Sequence, residues 1–344
     1  METTSSSTLI LPPPSRSDQN VSDWFIPSGT EALEHFISIE ILKRTAAIRE
    51  WQAARLSSAV FIYREMTTLR TIVAKFYSVK TGFEAEKYAN REIHYNKIAC
   101  EIFRGDRSMR AVLPLGVFRG VLLLEHVDGL TLEDTIAIRR SHPGILQPAL
   151  ESTVDFLEKL HRLGRRTNEV PHFDPAAEKA RSIVNTLSKH GVLKRHPLLR
   201  RNLSRLIDAW QAYPFMSTFH PCLTHGDATS TNFVFPKDGG VVAIDWERAK
   251  VADPAADLGR LMAEVSHAVA QQGGNQQEIA RMEEILHQRY CARQKSEDDP
   301  ETLLTRARFY QGSSTLRIAR NGWLSGAYRK GLVEKALVLL SHES

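Results

Sequence analysis

The chain has 344 residues, of which 42% are hydrophobic and 25% charged, and its net charge is +5. This length is enough for two lobes with separate apolar cores, and the composition is that of a globular protein, not of a disordered or fibrous one. No run of about 18 apolar residues is present and the N-terminus lacks a basic and apolar leader, so we expect neither a membrane span nor a secretory signal.

The N-terminal part begins with a polar segment and continues as strands. Residues 1–22 are rich in Ser, Thr and Pro and are predicted to be a disordered tail. The apolar runs Ala59–Arg64 and Arg70–Tyr77 flank a short polar turn and predict a β-hairpin. A helix is predicted from about Glu84 to Phe103, followed by a further strand over Gly120–Glu125.

The pattern becomes mostly helical from Pro148 onward. Pro148 suits the first turn of a helix, and Gly164 suits the position just past its end. Another helix is predicted to open at Asp253-Pro254. Its apolar stripe is formed by Leu258, Leu261, Val265 and Val269.

One isolated hairpin interrupts the helical part and carries most of the candidate chemistry. Phe233–Phe235 and Val242–Ile244 are short apolar strands with Gly-containing turn residues between them. If these strands pair across a four-residue loop, Asn232 falls opposite Asp245 at the open end. Amide and carboxylate oxygens that converge beside a third carboxylate, Asp227, are typical of a site for magnesium with bound phosphates.

The spacing of this segment is that of a known catalytic loop. His225-Gly226-Asp227 and Asn232 match the His-x-Asp-x-x-x-x-Asn spacing of protein kinases, with Gly226 in place of the usual arginine. With Ile244-Asp245-Trp246-Glu247 and Asp253-Pro254-Ala255-Ala256-Asp257-Leu258 following in order, the chain closely resembles the aminoglycoside phosphotransferase and choline kinase superfamily. The resemblance extends from about residue 45 to the end of the sequence.

The resemblance implies a fold and a lobe structure. The expected fold class is α+β, the bilobal protein-kinase-like fold, with an antiparallel sheet and a helix in the small lobe and a larger, mostly helical second lobe. We predict a nucleotide-binding lobe over residues 23–127 and a catalytic and substrate-binding lobe over residues 128–344.

The resemblance also implies roles for the motif residues. Asp227 is then the catalytic base, and Asn232 and Asp245 are magnesium ligands. His225 is a structural residue of the loop, and Asp257 is a buried acid that braces it. The alternative is three unrelated residues in loops and turns, and the occurrence of four matching segments in the correct order argues against it.

The first lobe contains a candidate ion pair. Lys75 lies on an otherwise apolar strand, and Glu92 lies in the middle of an apolar helix stripe. The rest of that stripe is Ala85, Tyr88, Tyr95, Ala99 and Ile102. A buried carboxylate without a partner is costly, so we expect Lys75 to meet Glu92 and to orient the nucleotide. A strand-edge lysine and a surface glutamate are the alternative interpretation.

Two further segments are candidates for nucleotide contacts. Leu122–Gly129 resembles the hinge of the family, whose backbone groups read an adenine edge, and makes Glu125 and Val127 candidates. A buried strand that leaves into a turn explains this segment equally well. The kinase Gly-rich phosphate loop is missing, and its place is predicted at residues 56–59, where Ser57 and Ser58 are candidate phosphate contacts.

The sequence therefore predicts a phosphotransferase that moves the γ-phosphate of ATP, or of another nucleoside triphosphate, onto a hydroxyl of a small molecule with the help of Mg²⁺. The alternative is a catalytically silent kinase-like protein that binds a nucleotide or a partner, which the missing Gly-rich loop favours and the retained Asp227, Asn232 and Asp245 disfavour. No Asp-Phe-Gly or Ala-Pro-Glu segment follows the hairpin, which disfavours a protein kinase. The acceptor, which is aminoglycoside-, choline- or sugar-like in this superfamily, the choice of nucleotide and the oligomeric state do not follow from the sequence.

Cysteine and charge patterns bear on location and partners. The three cysteines form no CxxC pair, which argues against a zinc site and favours a reducing, cytoplasmic setting. Basic residues gather over 139–205 and suit either an anionic partner or solvated helix faces. We favour solvated faces, so the expected partner is a small hydroxylated substrate and neither nucleic acid nor a membrane.

Overall fold

The structure is a computed structural model that describes residues 51–66, 69–77, 84–166, 168–293 and 299–341. The predicted disordered tail lies outside the described residues. Within the described part of the chain, no helix has the length and apolarity needed to cross a membrane.

The described residues form two compact units, each made of two separate stretches of sequence. The first unit takes its residues from Met1–Leu132 and Asn232–Ala249, and the second from Glu133–Thr231 and Lys250–Ser344. The predicted lobe boundaries after residues 22 and 127 stay a prediction.

The first unit combines two sheets with one long helix. Its elements are β1 (Trp51–Arg55), β2 (Val60–Glu65), β3 (Thr71–Phe76), α1 (Ala85–Ile102), β4 (Met109–Ala111), β5 (Pro114–Phe118), β6 (Val121–Glu125), β7 (Gly129–Thr131), β9 (Phe233–Pro236) and β10 (Val241–Ala243). The larger sheet has the order β1-β2-β3-β6-β5 with antiparallel neighbours. The predicted hairpin over β2 and β3, the helix and the following strand are confirmed.

Alternation along β3 decides which side chains reach the core. Ile72 and Ala74 are buried in the apolar cluster of this sheet together with Trp51 and Leu123. Because successive side chains of a strand point to opposite faces, Lys75 lies on the other face from Ala74. The strand thereby places a buried cation outside the apolar cluster.

The smaller sheet has the order β4-β10-β9-β7 and contains the predicted hairpin. Its register pairs Val242 with Val234, and the N–H of Ile244 donates to the carbonyl oxygen of Asn232 at 3.0 Å. The expectation that Asn232 lies opposite Asp245 is therefore wrong by one residue. Residues 237–240 join the two strands, and Gly239 and Gly240 both adopt positive φ in this turn.

The second unit is mostly helical. Its elements are α2 (Leu132–Ile138, which begins at the last residue of the first unit's N-terminal stretch), α3 (Leu146–Leu163), α4 (Asp174–His190), α5 (Pro197–Ala212), β8 (Cys222–Thr224), β11 (Lys250–Ala252), α6 (Ala255–Gln271), α7 (Gln276–Arg293), α8 (Pro300–Ala319) and α9 (Gly326–Ser341). The predicted helices after Pro148 and Pro254 are confirmed as α3 and α6. The predicted apolar stripe of α6 is fully buried.

Helices α6 and α8 pack unusually closely in this unit. A Cβ atom at Gly259 would lie 2.3 Å from the carbonyl oxygen of Ala307, so only glycine fits at this position. The close approach brings the polar residues of the two helices within contact distance of each other. Strands β8 and β11 pair antiparallel, with Leu223 opposite Val251.

Candidate functional site

A buried ion pair between β3 and α1 forms the centre of the first candidate cluster. The Lys75 Nζ lies 2.8 Å from Oε2 and 3.0 Å from Oε1 of Glu92. Glu92 has no exposed surface and Lys75 is 6% exposed. The two residues that the sequence placed in one pair are thus in contact. Their role toward a nucleotide stays a prediction.

The buried face of helix α1, which carries Glu92, differs slightly from the predicted apolar stripe. Its buried residues are Ala85, Ala89, Glu92, Asn96 and Ala99, whereas Tyr88, Tyr95 and Ile102 are half-buried. Glu92 sits in the middle of that face, so its carboxylate is turned into the unit. The Tyr77 hydroxyl and the Trp246 N–H, at 3.2 Å, also donate to this carboxylate.

Asp245 and Glu247 bring two more carboxylates to the same lysine. The Lys75 Nζ is 2.7 Å from Asp245 Oδ1 and 3.6 Å from Glu247 Oε2. Carboxylate oxygens of Glu92, Asp245 and Glu247 all lie within 4.8 Å of one another. Lys75 neutralises one of these three charges, and Arg248 Nε lies 3.8 Å from Glu247.

The charges around Lys75 determine its protonation. Burial lowers the pKa of Lys75, but the carboxylates of Glu92 and Asp245 outweigh this effect, so the pKa lies well above its ordinary value. Burial raises the pKa of Glu92 against the opposing effect of Lys75. Lys75 is therefore a permanent cation whose charge is shared among several acceptors.

The backbone at Asp245 is specialised. Asp245 adopts φ 64° and ψ 70°, the left-handed region that few non-glycine residues other than Asp and Asn tolerate. This conformation ends β10 and directs the chain into the short helix Trp246–Arg248. Asn232, which precedes the other strand at the same open end of the hairpin, is 7% exposed. The structure thus places both predicted metal ligands at the same end of one hairpin.

Oxygen donors at this end of the hairpin fit a hard divalent cation. Asp245 and Glu247 have side chains that are 32% and 21% exposed, so a ligand can reach their carboxylates. Glu92 is fully buried and is occupied by Lys75, Tyr77 and Trp246, which suits a lysine-holding residue better than a metal ligand.

The second candidate cluster, in the second unit, is the loop that carries Asp227. Gly226 adopts φ 74° there. Asp257 of α6 accepts hydrogen bonds from the N–H of His225 at 2.6 Å and from the N–H of Gly226 at 2.8 Å. His161 Nε2 donates to the same carboxylate at 3.0 Å. These contacts are the ones expected of a buried acid that holds the loop, which is the role that the resemblance implies for Asp257.

Asp257 differs electrostatically from Glu92. Burial acts to raise the pKa of Asp257, but the hydrogen bond and charge of His161, the charge of His225 and the amide of Gly226 bring it below its ordinary value. The His161 Nδ1 in turn lies 2.8 Å from the Tyr290 hydroxyl. His161 therefore supports Asp257 alongside the loop's amides and is itself held by Tyr290.

Arg260 contacts Asp227 directly and was not predicted. Its guanidinium donates to Asp227 Oδ1, and its side chain is 10% exposed. Arg260 follows Asp257 by three positions and precedes Glu264 by four, so all three lie on one face of α6. Glu264 accepts from Arg317 of α8. The three- and four-residue spacing of Asp257, Arg260 and Glu264 could have indicated a shared helix face. Arg317 lies more than fifty positions further along the chain, and no local pattern indicates its contact.

The remaining predicted nucleotide-binding residues lie in the first unit. Ser57 and Ser58 are exposed in the turn between β1 and β2, and Arg55 donates to their carbonyl oxygens at 2.9 and 3.2 Å. Glu125 ends β6, and its carboxylate accepts from Arg110 and from the N–H of Leu113.

The hinge prediction is narrowed by these contacts. The N–H of Glu125 donates to the Leu113 carbonyl at 3.0 Å, so both its side chain and its amide are engaged within the unit. Val127 is half-buried just beyond the strand. A hinge contact, if made by this segment, is therefore better suited to Val127 than to Glu125.

Comparison with known proteins places the chain in a family. The model of the phosphotransferase enzyme family matches residues 96–292. No curated protein sequence is significantly similar to the chain.

Several solved structures are similar to the chain over nearly its whole length. A streptomycin–ATP complex of APH(2'')-IIa has 14% identity and a TM-score of 0.57, covering 93% of this chain and 98% of that one. An ethanolamine kinase from Plasmodium vivax has 14% identity and a TM-score of 0.55, with coverages of 96% and 95%. A choline kinase from Streptococcus pneumoniae has 16% identity and a TM-score of 0.55, with coverages of 91% and 99%. These likenesses confirm the predicted α+β, protein-kinase-like fold.

Proposed function

Because the chain belongs to the phosphotransferase enzyme family, we propose that it transfers the γ-phosphate of a nucleoside triphosphate to a hydroxyl group of a small molecule. The observation that carries the proposal is the Lys75 ammonium, buried and held by Glu92 while it also contacts the partly exposed Asp245. Such a lysine can offer a fixed positive charge to phosphate oxygens. Similar solved structures hold ATP, ADP or GDP, which supports a nucleotide as the phosphate donor.

Lys75 and Glu92 are proposed to orient the nucleotide. Glu92 holds the lysine in place through two hydrogen bonds, and it keeps that position because Tyr77 and Trp246 also donate to it. Lys75 would exchange its contact with Asp245 for one with phosphate oxygens. Magnesium, when bound, would be held by Asp245 and Asn232 and would supply neutralising charge to the phosphates.

Asp227 is proposed as the group that receives the acceptor's proton. The acceptor oxygen forms a bond to the γ-phosphorus while the bond from that phosphorus to the β–γ bridging oxygen breaks. The hydroxyl proton passes to the Asp227 carboxylate, and the nucleoside diphosphate leaves with the bridging oxygen. Asp257 fixes the loop by holding the amides of His225 and Gly226, so Asp227 meets the acceptor in a set orientation.

A nucleotide-consumption screen tests the proposal. Purified protein with Mg²⁺ and either ATP or GTP is incubated with a panel of sugars, amino alcohols, hydroxy acids and aminoglycosides, and Asp227→Asn serves as the blank. We expect acceptor-dependent release of nucleoside diphosphate and a phosphorylated product by mass spectrometry with the wild-type protein alone. Nucleotide binding without turnover of any acceptor would favour the silent, nucleotide-binding alternative.

A further inference from the structure

A small cavity lies beside the loop that carries Asp227, within the second unit. Its volume is 80 Å³, and both Gly226 and Arg260 line it. Arg260 also donates to Asp227, so the cavity adjoins the proposed catalytic base. At about 30 Å³ per water molecule this volume is space for about three waters, which suits one small polar group of a substrate.

The lining of this cavity is strongly basic. Four cationic side chains border it, those of Lys179, Lys250, Arg260 and Arg317. Asp257 alone carries a carboxylate among the described residues that border it, and its oxygens are occupied by two amides and His161. A positively charged acceptor would therefore meet four like charges and no carboxylate available for pairing.

The nearby carboxylates outside the lining are also paired. Asp227 accepts from Arg260, and Glu264 accepts from Arg317. Four cations of the lining thus stand against three carboxylates, those of Asp227, Asp257 and Glu264, so the group carries a net positive charge.

Arg317 provides an independent sign of a missing acceptor. Its Nε is buried and has no hydrogen-bond partner among the described residues. A buried donor without an acceptor is unfavourable, and native proteins satisfy nearly all such groups. An oxygen anion in the cavity that Arg317 borders would satisfy it.

Resting on the proposed function, we infer that the acceptor carries, beside its hydroxyl, an anionic group that binds in this cavity against Arg260 and Arg317. The planar guanidinium group matches a carboxylate or a phosphate with two parallel hydrogen bonds, which favours either anion over a neutral group. The preferred acceptor is accordingly a small hydroxy acid or a phosphorylated alcohol, not a cation such as choline or an aminoglycoside.

Acceptors matched in size and different in charge test this inference. Glycerate, glycerol 3-phosphate, glycerol and 2-amino-1,3-propanediol share a three-carbon hydroxylated skeleton, and turnover of each is followed by nucleotide consumption and product mass. We expect kcat/KM for one of the anions to exceed that for glycerol by about tenfold or more, since a hydrogen bond to a charged group contributes about 1.5–3 kcal/mol. The amine is expected to be the poorest acceptor. The two anions distinguish a carboxylate from a phosphate.

Variants of Arg317 link the preference to the cavity. Arg317→Gln is expected to lower kcat/KM for the anion about tenfold, mainly through KM, and to lower that for glycerol by a clearly smaller factor. Arg317→Lys keeps the charge opposite Glu264 and serves if the glutamine variant unfolds; it should give a smaller loss. Arg308→Gln, at an exposed arginine of the same helix, is the matched control.

Calorimetry with the same compounds separates failure of the inference from failure of the proposed function. Saturable binding of glycerate or glycerol 3-phosphate that Arg317→Gln abolishes, with no turnover of any acceptor, would support the anion site and count against the kinase activity. Asp227-dependent turnover that is fastest with the amine, choline or an aminoglycoside would uphold the kinase and overturn the anion site. Absence of saturable binding of both anions would also overturn it.

Discussion

Two fully buried carboxylates, Glu92 in the first unit and Asp257 in the second, are held in contrasting ways. Glu92 is bound chiefly by the Lys75 ammonium, which also contacts the partly exposed Asp245 and Glu247. Asp257 is bound by two backbone amides and by His161. A carboxylate that holds a side-chain cation leaves that cation able to change partners, whereas one that holds amides fixes a loop. The first arrangement suits binding of a ligand, and the second suits positioning of a catalytic group.

The loop that Asp257 holds carries Asp227, and substitution of Asp227 should have the largest effect on turnover. Asp227→Ala is expected to lower turnover by about 10² to 10⁴, the usual contribution of a general base, with nucleotide affinity largely kept. Steady-state kinetics and a separate nucleotide titration measure the two effects. Asp208→Ala, which removes an exposed carboxylate that also pairs with an arginine, is the control. Near-normal turnover in Asp227→Ala would mean that another group receives the proton.

The ion pair of Lys75 and Glu92 should show energetic coupling between its two members. Lys75→Ala and Glu92→Ala should each impair nucleotide use, because either change leaves a buried charge without its partner. The double variant should be much less than additively worse, with a coupling of about 0.5–3 kcal/mol. Nucleotide KM and urea unfolding measured over the four proteins give this coupling.

The exposed pair Lys87 and Glu84, on the same helix and its N-terminal flank, is the matched control. Its double-mutant cycle should be close to additive because water screens both charges. Strict additivity for Lys75 and Glu92 as well would show that the buried contact has no energetic role.

The amide-bound carboxylate should also give a pH signature. The pKa of Asp257 is lower in the folded chain than its ordinary value, so its contribution to stability is fully present above the unfolded pKa of about 3.9 and is lost as pH falls through the lowered folded value. His161, His225 and Tyr290 are the titratable groups that face it. Asp257→Asn should therefore be less stable than wild type near neutral pH, and the difference should shrink below about pH 4.

Urea unfolding of both proteins between pH 7 and pH 3 measures this difference. Asn is the matched change, since it keeps the shape and one acceptor oxygen while it removes the charge. A difference in stability that stays constant over the whole range would contradict the role of the ionised carboxylate.

The sequence predicted those parts of the site that stand out in a local pattern or belong to motifs in a fixed order along the chain. Glu92 stood out because one charge lay in the middle of an apolar helical stripe, and Lys75 because it interrupted an apolar strand. Asp257 followed from the resemblance. The pairing of Asn232 was wrong by one position because the backbone of Gly239 and Gly240 decides the turn, and side-chain pattern says nothing about it.

The parts that could not be predicted depend on contacts between distant helices. Arg260 and Glu264 look like ordinary polar residues of an amphipathic helix when α6 is read alone. Their meaning comes from Asp227 on one side and Arg317 on the other, and the close approach of α6 and α8 at Gly259 produces the second contact. Packing between elements that are far apart in sequence leaves no periodic trace in either one.

The turn between β1 and β2 gives the smallest expected effect and extends the comparison to phosphate binding. Main-chain groups set its shape, as they set the Asp227 loop: the N–H groups of Leu56 and Ser57 both donate to the Val60 carbonyl, at 2.9 and 3.1 Å. The serine hydroxyls contribute little to that shape, since the Ser57 Oγ accepts from Ala59 only at 3.5 Å.

If phosphate contacts are made by backbone amides, the double change Ser57→Ala with Ser58→Ala should raise the nucleotide KM by less than about threefold. Hydroxyl contacts to phosphate would be worth about 1.5–3 kcal/mol each, so a rise of about tenfold or more would show that the side chains replace the absent glycine-rich loop. Arg55→Ala is the informative companion, because it removes the guanidinium that donates to both serine carbonyls and so loosens the turn without touching either hydroxyl.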